Sequence, residues 1–462
     1  MSLRKTLKLR DLVYLNIASV VGLSSLAQVA QFGYGSLLLF AVAAVTFLVP
    51  CGVMVAELNA RMPEEGGFYH WTKAVLGDGH AYVSAWSYWL SNIVWLPSVL
   101  FLISISSLYV VGESSLGLAD HVWFNAPVGL AVLWLVTILN MVGLQRAKWV
   151  VNLGAMGTWL AVTFLVIVGG YYAWHHGSAH VFEMGKLLPD LSDLSILPFF
   201  AIVAFGFGGL EAAPVMAGEI ERPERDVPRA IWIASLAVTA LYMLGTLMLI
   251  LVVPEREVGV IEGVAQAFYE VGGGLNLPWI RVLGASLVAL GTLGLFGAWM
   301  TCTARLPFVM GLARYLPSVL ARVHPKWGSP HVALLLQAVV LSLLLFASLA
   351  GATVKEAFLV LVDMSVILYF IPFMYLFAIL PMHVLRDPEG GLFFRRRPWL
   401  VWPVSVSGFS ITLFSVVISC VPSGEVENKG LFVLKVVGGA GFLILAGLVV
   451  YWIRKAQFAR GK

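Results

Sequence analysis

Long apolar runs separated by short polar stretches extend along the whole chain. Each run is continuous over about twenty residues, the length of a transmembrane helix, and lacks the alternation typical of a barrel strand. The runs predict twelve transmembrane helices at roughly 11–35, 38–60, 81–111, 126–144, 149–172, 194–217, 229–253, 278–303, 331–350, 355–381, 399–421 and 431–453. The pattern therefore predicts an all-α polytopic membrane protein.

Composition agrees with this prediction and limits where function can lie. Of the 462 residues, 60% are hydrophobic and only 12% are charged, about half the charged fraction of a soluble protein. The gaps between apolar runs are too short for a soluble domain, and no nucleotide-binding fingerprint is present. We expect no cofactor, no metal and no nucleic-acid partner. The expected partners are the lipid bilayer, a small-molecule substrate and protons.

The distribution of basic residues predicts the orientation of the chain. With twelve spans, 23 of the 29 Lys and Arg residues fall on the side that holds both termini, and 6 fall on the opposite side. Because basic residues accumulate in cytoplasmic loops, both termini are predicted to be cytoplasmic, in the plasma (inner) membrane. The basic N-terminus has no pattern of a removed signal peptide.

A glycine cluster interrupts the sixth apolar run, in the stretch "AFGFGGLEAAP". Gly206, Gly208 and Gly209 weaken a helix there, and "ASVVGLSSLAQ" around Gly22 is a comparable weak point in the first run. Interrupted helices at corresponding places in two halves of a chain indicate a transporter site at the membrane midplane. Close helix–helix packing through small residues is the alternative interpretation.

Two acidic residues lie within predicted spans. A charged side chain there costs at least about 2.5–3.5 kcal/mol, so it normally faces the protein interior with a partner. Glu211 follows the glycine cluster and Asp363 lies in "FLVLVDMSVILYF". Both are candidates for proton or cation coupling, and a structural role stays open for each, for Glu211 as an acceptor of free backbone N–H groups. Glu57, at the end of a span, is expected to be solvated.

Aromatic and polar residues share one face of the third span. In "WSYWLSNIVWLPS", Asn92 and Trp95 lie deepest, and an aromatic side chain could close over a small polar substrate. Interfacial belts and core packing are the other uses of membrane tryptophans.

Three segments resemble the amino acid–polyamine–organocation (APC) superfamily of transporters. They are "AELNARMPEEGGFYHWTKAVLG", "FGFGGLEAAPVMAGEIERPERDVPRAI" and "TARLPFVMGLARYLPSVLARVHPKWGSP". Within that superfamily, "WLSNIVWLPSVL" and "GAMGTWLAVTFLVIVGG" look most similar to the glutamate:GABA antiporter branch. The resemblance implies a LeuT-like 5+5 inverted repeat plus two C-terminal helices, with helices 1 and 6 broken. Its parts would be residues 1–172, 173–381 and 382–462.

The resemblance also implies a set of substrate-binding residues. Backbone N–H groups at the first break would bind a substrate carboxylate, and carbonyls at the sixth-helix break would bind an amino group. Aromatic side chains would close the site. The implied residues are Val21, Gly22, Leu23, Ser24, Ser25, Ala204, Phe205, Gly206 and Trp299. Asn92 and Trp95 of the third span and Gly208 of the glycine cluster complete the predicted substrate-binding set.

This sequence departs from the family pattern at two places. Leu23 and Ser24 stand where "GSGIF" has Ser and Gly, which alters the expected carboxylate site. The fifth-helix lysine of some bacterial relatives has no counterpart, since Gly157, Thr158 and Trp159 occupy that region. Lysine-based proton coupling is therefore not expected, and Glu211 is the residue at the position where related antiporters sense protons.

The leading hypothesis is a secondary active transporter (permease) for amino acids, working by alternating access as an exchanger or a proton-coupled symporter. A polyamine or organic-cation transporter of the same fold is the alternative. A non-transporting sensor, or a subunit that assembles with a partner, belongs to a different class. The oligomeric state could be a monomer or a homodimer. Arg225, in the loop "EIERPERDVPR", is predicted to help close an inner gate.

Overall fold

Helices account for nearly all of the regular structure in the described chain. The computed structural model describes residues 5–64, 66–180, 197–254, 258–259, 261–313, 315–349, 353–421 and 428–460. Within these ranges the β-type pairing is one isolated backbone bridge between Leu7 and Ile220. The predicted all-α class is confirmed.

The long helices match the predicted apolar runs. In chain order the helices are α1 (Leu9–Val20), α2 (Leu23–Ala30), α3 (Gly35–Ala43), α4 (Val49–Arg61), α5 (Phe68–Leu76), α6 (Asp78–Val111), α7 (Val122–Met141), α8 (Leu144–His176), α9 (Leu197–Gly206), α10 (Ala212–Val215), α11 (Pro223–Val252), α12 (Gly263–Gly274), α13 (Pro278–Thr303), α14 (Arg305–Leu312), α15 (His331–Leu349), α16 (Val354–Arg386), α17 (Val401–Ile418), α18 (Lys429–Val433) and α19 (Gly439–Arg460).

Eleven segments of the described chain are long and apolar enough to cross a membrane. The sixth predicted span begins at residue 194, outside the described residues, and its described part is the short pair α9 and α10. The count of twelve, the inverted repeat and the three-part division of the chain therefore stay predictions.

The helix is interrupted in both places where small residues accumulate. In the first segment, α1 ends at Val20 and α2 begins at Leu23. In the sixth segment, α9 ends at Gly206 and α10 begins at Ala212. The two interruptions are in contact, because the Ser19 hydroxyl donates a hydrogen bond of 3.0 Å to the Gly209 carbonyl.

Two glycines of the cluster are required by this close approach. Gly209 has φ +128°, and a Cβ there would lie 2.8 Å from the Ser19 carbonyl oxygen. A Cβ on Gly208 would lie 2.1 Å from the Tyr369 hydroxyl. The cluster therefore serves close packing as well as the break, so the two interpretations of it are compatible.

A second glycine contact joins α8 to α13. A Cβ on Gly154 would lie 2.1 Å from the Cα of Gly294, and one on Gly157 would lie 3.0 Å from the Gly291 nitrogen. The helix backbones are thus in direct contact beside the position where some bacterial relatives are expected to carry a lysine.

Glu57 is buried, so the expectation that it is solvated was wrong. Its carboxylate pairs with Arg61 at 2.8 Å and accepts hydrogen bonds of 2.8 Å from the backbone N–H groups of Leu392 and Phe393. The partner that buries it is a loop more than 300 residues away in sequence, which the chain order alone does not reveal.

A buried ion pair between Glu219 and Arg305 anchors the N-terminal segment, and the predicted gating role of Arg225 stays a prediction. Arg225 is exposed in the first turn of α11, where the sequence predicted a loop, whereas Glu219, which precedes that helix, is fully enclosed with Arg305. The Arg305 guanidinium donates to both Glu219 carboxylate oxygens, at 2.7 and 3.0 Å. The Glu219 carbonyl accepts from the backbone of Thr6 at 2.8 Å, so this pair joins the N-terminal segment, the loop and α14.

Candidate functional site

A small cavity lies where the two helix breaks meet. Its lining comes from both breaks and from α6, α13 and α16: Ser19, Val20, Gly22, Ser25, Ser91, Asn92, Trp95, Phe205, Gly206, Gly208, Trp299 and Tyr369. Its free volume is about 20 Å³, room for about one water molecule. Binding of any larger molecule therefore requires the lining to move outward.

Four aromatic rings form one side of this cavity. The ring of Trp95 meets those of Phe205 and Trp299 edge-on, each at 5.9 Å between centroids. Phe205 in turn meets Tyr369 at 5.0 Å. Aromatic faces attract a cationic group such as an ammonium, and together these rings exclude water from the polar groups opposite.

Tyr242 of α11 joins the two breaks through one hydroxyl group. Its oxygen lies 2.7 Å from the Val20 carbonyl oxygen and 2.8 Å from the Gly206 carbonyl oxygen, and it accepts from the Gly22 N–H at 3.1 Å. A hydroxyl has one proton, so it donates to one carbonyl at a time. The Tyr242 hydroxyl thus contacts main-chain hydrogen-bonding groups of both breaks.

Trp299 is held in place by the first break. Its indole Nε1–H donates to the Ser19 carbonyl at 2.9 Å, and the ring also lies 6.3 Å from that of Tyr88. The position of the Trp299 ring in the cavity lining therefore depends on the Ser19 carbonyl, at the end of α1.

Glu211 lies behind the aromatic wall rather than in the cavity. Its carboxylate accepts hydrogen bonds from the Gly209 N–H at 2.9 Å, from the Tyr88 hydroxyl at 2.9 Å and from the Tyr369 hydroxyl. The residue is fully buried. Tyr369 therefore contacts the Glu211 carboxylate and also lines the cavity.

The lining carries no formal charge. In the part of the chain that the structure describes, the cavity is bounded by hydroxyl, amide and aromatic side chains and by backbone, with no Asp, Glu, Lys, Arg or His among them. The first N–H groups of α2, at Leu23 and Ser24, have no acceptor within their own helix, as at any helix start. Such a start attracts an anionic group.

Sequence comparison identifies the family. The profile of the amino acid permease family matches residues 7–449. The chain belongs to the amino acid permease family. It is therefore a multi-pass membrane transporter and not an enzyme, and small molecules such as amino acids or amines are the substrates of such proteins.

Several transporters are similar to this permease. An uncharacterised transporter of Legionella pneumophila is 27% identical over 460 residues, 99% of this chain and 97% of the relative. A glutamate/gamma-aminobutyrate antiporter of Lactococcus lactis is 22% identical, over 88% of this chain and 82% of its own. A probable agmatine/putrescine antiporter of Lactococcus lactis is 24% identical over 59% of this chain and 57% of its own. The predicted membership of the APC superfamily is confirmed.

The structure brings most of the predicted binding residues of the permease together. Those that line the cavity are Gly22, Ser25, Asn92, Trp95, Phe205, Gly206, Gly208 and Trp299. Val21, Leu23, Ser24 and Ala204 belong to the same breaks but are outside the lining. Their proposed contacts would be made through backbone groups.

Asp363 stands apart from the cavity. It lies on α16, six residues before Tyr369 and so about 9 Å along the helix, and its side chain is partly exposed. The structure gives it no hydrogen bond or ion pair within the described residues. Glu211 and Asp363 thus occupy different environments.

The predicted binding set left out five residues at the site. Ser19, Val20, Ser91 and Tyr369 line the cavity, and Tyr242 contacts both breaks. For the serines and tyrosines the available signal was a hydroxyl in the middle of an apolar span, as in "TALYMLG" and "VILYFIP". That signal does not say which neighbour the hydroxyl meets.

Proposed function

We propose that this protein is a secondary active transporter of net-neutral amino acids, working by alternating access as an exchanger or a proton-coupled symporter. The observation that carries the proposal is the uncharged cavity at two helix breaks. The N-terminus of α2 would bind the substrate carboxylate. The carbonyls near Gly206, with the rings of Trp95, Phe205 and Trp299, would bind the ammonium.

The absence of charge in the described lining supports a zwitterionic substrate. A diamine or glutamate carries charge beyond one ammonium and one carboxylate, and a buried charge without a partner is costly. Glu211 already accepts three hydrogen bonds and is separated from the cavity by Tyr88 and Tyr369. A second candidate, a polyamine or organic-cation carrier, is favoured by the aromatic rings and by the similarity to the probable agmatine/putrescine antiporter.

Transport requires the wall to open and close. The Tyr88–Glu211–Tyr369 contacts join α6, the sixth-segment break and α16 beneath the aromatic rings. We place the proton-linked group at Glu211, because loss of its charge weakens these hydrogen bonds. Asp363, which the structure leaves without a partner in the described chain, is the second candidate for coupling. The protein would lie in the plasma membrane with both termini cytoplasmic.

Uptake into liposomes tests the proposal. Purified protein is reconstituted, and labelled neutral, acidic and basic amino acids and diamines are supplied with an imposed proton gradient or with unlabelled substrate preloaded. We expect uptake of neutral amino acids under at least one condition. Trp299→Phe should reduce it at least tenfold, because the indole bond to Ser19 is lost, and Trp123→Phe, at a 91% exposed position, should not. Uptake of diamines or glutamate but not of neutral amino acids would overturn the proposal.

The coupling residue is tested in the same liposomes. Glu211→Gln should abolish the effect of the proton gradient, and Asp363→Asn should leave it intact. The reverse pattern would move the coupling site to Asp363, and an unchanged gradient effect in both variants would show that neither carboxylate carries it.

A further inference from the structure

A second cavity lies between α15, α16 and the α18–α19 segment. Its volume is about 260 Å³, much larger than that of the cavity at the breaks, and the two share no lining residue. Leu344, Val360, Leu361 and Met364 form much of its apolar wall. On the scale on which the cavity at the breaks holds about one water molecule, this cavity has room for several methylene groups.

An ion pair forms the polar end of this cavity. Lys435 Nζ lies 2.7 Å from Glu356 Oε1, and the two side chains are 35% and 38% exposed. Both residues are accessible, so the pair can exchange its partners for those of a bound molecule. The cavity is thus apolar at one end and carries one positive and one negative charge at the other.

The local backbone opens this space. A π-helical turn at Leu434–Gly438 separates α18 from α19, and such turns are frequent at functional sites. It carries Lys435 toward Glu356. Directly after it, Gly439 lies so close to α16 that a Cβ would be 2.7 Å from the Met364 sulfur. The cavity therefore lies between this contact and the ion pair.

The position of the cavity along α16 matches the layers of a bilayer. With 33 residues, α16 is about 50 Å long, which exceeds the roughly 30 Å of hydrocarbon in a membrane. With α16 centred in the bilayer, Glu356, its third residue, would lie at the level of the lipid headgroups. Val360 and Met364 are one and two turns deeper, at the level of the acyl chains.

We propose that this cavity binds a phospholipid with a phosphoethanolamine headgroup, in the leaflet opposite to the chain termini. One acyl chain would fill the apolar part. The phosphate would pair with Lys435 and the primary ammonium would donate to Glu356. A phosphatidylglycerol headgroup would satisfy Lys435 through its phosphate but has hydroxyl groups and no cation to offer the Glu356 carboxylate. A choline headgroup has no N–H to donate.

Lipid retention tests this site independently of transport. The full-length protein is purified in mild detergent, and the bound phospholipid is quantified by mass spectrometry. Phosphatidylethanolamine, phosphatidylcholine and phosphatidylglycerol are then titrated back separately. We expect about one retained phosphatidylethanolamine per protein, and at least fivefold less in Lys435→Gln and in Ala347→Trp, which adds a large side chain to the lining of the cavity. The control is Lys429→Gln, at an exposed lysine of the same segment.

Headgroup preference gives the sharper outcome. Glu356→Gln should lower the preference for phosphatidylethanolamine over phosphatidylglycerol at least fivefold, because it removes the negative charge that attracts the ammonium while Lys435 remains. Equal retention in Lys435→Gln and Lys429→Gln, or equal binding of the three lipids by the unmodified protein, would overturn the proposal.

Discussion

Tyr242→Phe is the most informative single change at the candidate site. It removes one oxygen atom and keeps a ring that is stacked on Phe40 at 4.9 Å and meets Phe207 edge-on at 5.3 Å. The substitution therefore creates no large cavity and no overpacking. What is lost is the contact of the hydroxyl with both helix breaks.

The magnitude follows from the hydrogen bonds that disappear. The hydroxyl donates to one carbonyl and accepts from one N–H, and each such bond contributes about 1 kcal/mol net. Losing two costs about 2 kcal/mol, equivalent to about 30-fold in an equilibrium constant. This cost falls on conformations in which the breaks are held together. A decrease in their population raises the apparent dissociation constant of a ligand that binds to them.

Uptake kinetics and thermal denaturation of the purified variant measure this effect. We expect KM for the transported amino acid to rise by between tenfold and 30-fold, with a lower denaturation midpoint. Tyr82→Phe is the matched control, because the buried Tyr82 hydroxyl has no hydrogen-bond partner within the described chain. Identical KM values and midpoints in the two variants would refute the role of Tyr242 as the link between the breaks.

Two further predictions concern packing and the buried ion pair. Gly154→Leu should lower the yield of folded protein severely, since a Cβ there already overlaps the backbone of α13 and overpacking costs about 1–3 kcal/mol or more. Gly170→Leu on the same helix should be tolerated, because nothing lies within 4 Å of a Cβ there. Equal yields of the two variants by fluorescence-detected gel filtration would contradict this prediction. Arg305→Gln should destabilise the protein by about 3–5 kcal/mol, because it leaves Glu219 buried without its bidentate partner. Arg225→Gln, at an exposed position in the first turn of α11, should keep the wild-type melting temperature. A normal melting temperature for Arg305→Gln would show that the pair is dispensable.

The bilayer makes the helical spans predictable from sequence. Backbone groups in hydrocarbon must be hydrogen-bonded internally, so apolar runs of about twenty residues have few alternatives to a helix. The breaks were predictable for the same reason, since clustered glycines and serines in a span need a compensating environment. Glu211 could be singled out from the sequence because an ionisable side chain within a transmembrane span is energetically costly.

Contacts between distant segments were not predictable from one sequence. Tyr242 lies 222 residues from Val20, and Ser19 lies 190 residues from Gly209. The direction in which each residue of a break points is also not determined by the sequence. The sequence therefore did not predict that Gly22 and Ser25 line the cavity while Leu23 and Ser24 do not. Glu57 shows the same limit, because its burial depends on a loop after α16.

Competition between an amino acid and its decarboxylated amine tests the central claim most directly. Both compounds are titrated against uptake of the labelled amino acid in liposomes. If the start of α2 binds the carboxylate, loss of a charge-assisted hydrogen bond of about 1.5–3 kcal/mol predicts that the amine competes at least tenfold more weakly. Equal competition by the amine would show that no carboxylate contact exists and would favour an organic-cation carrier.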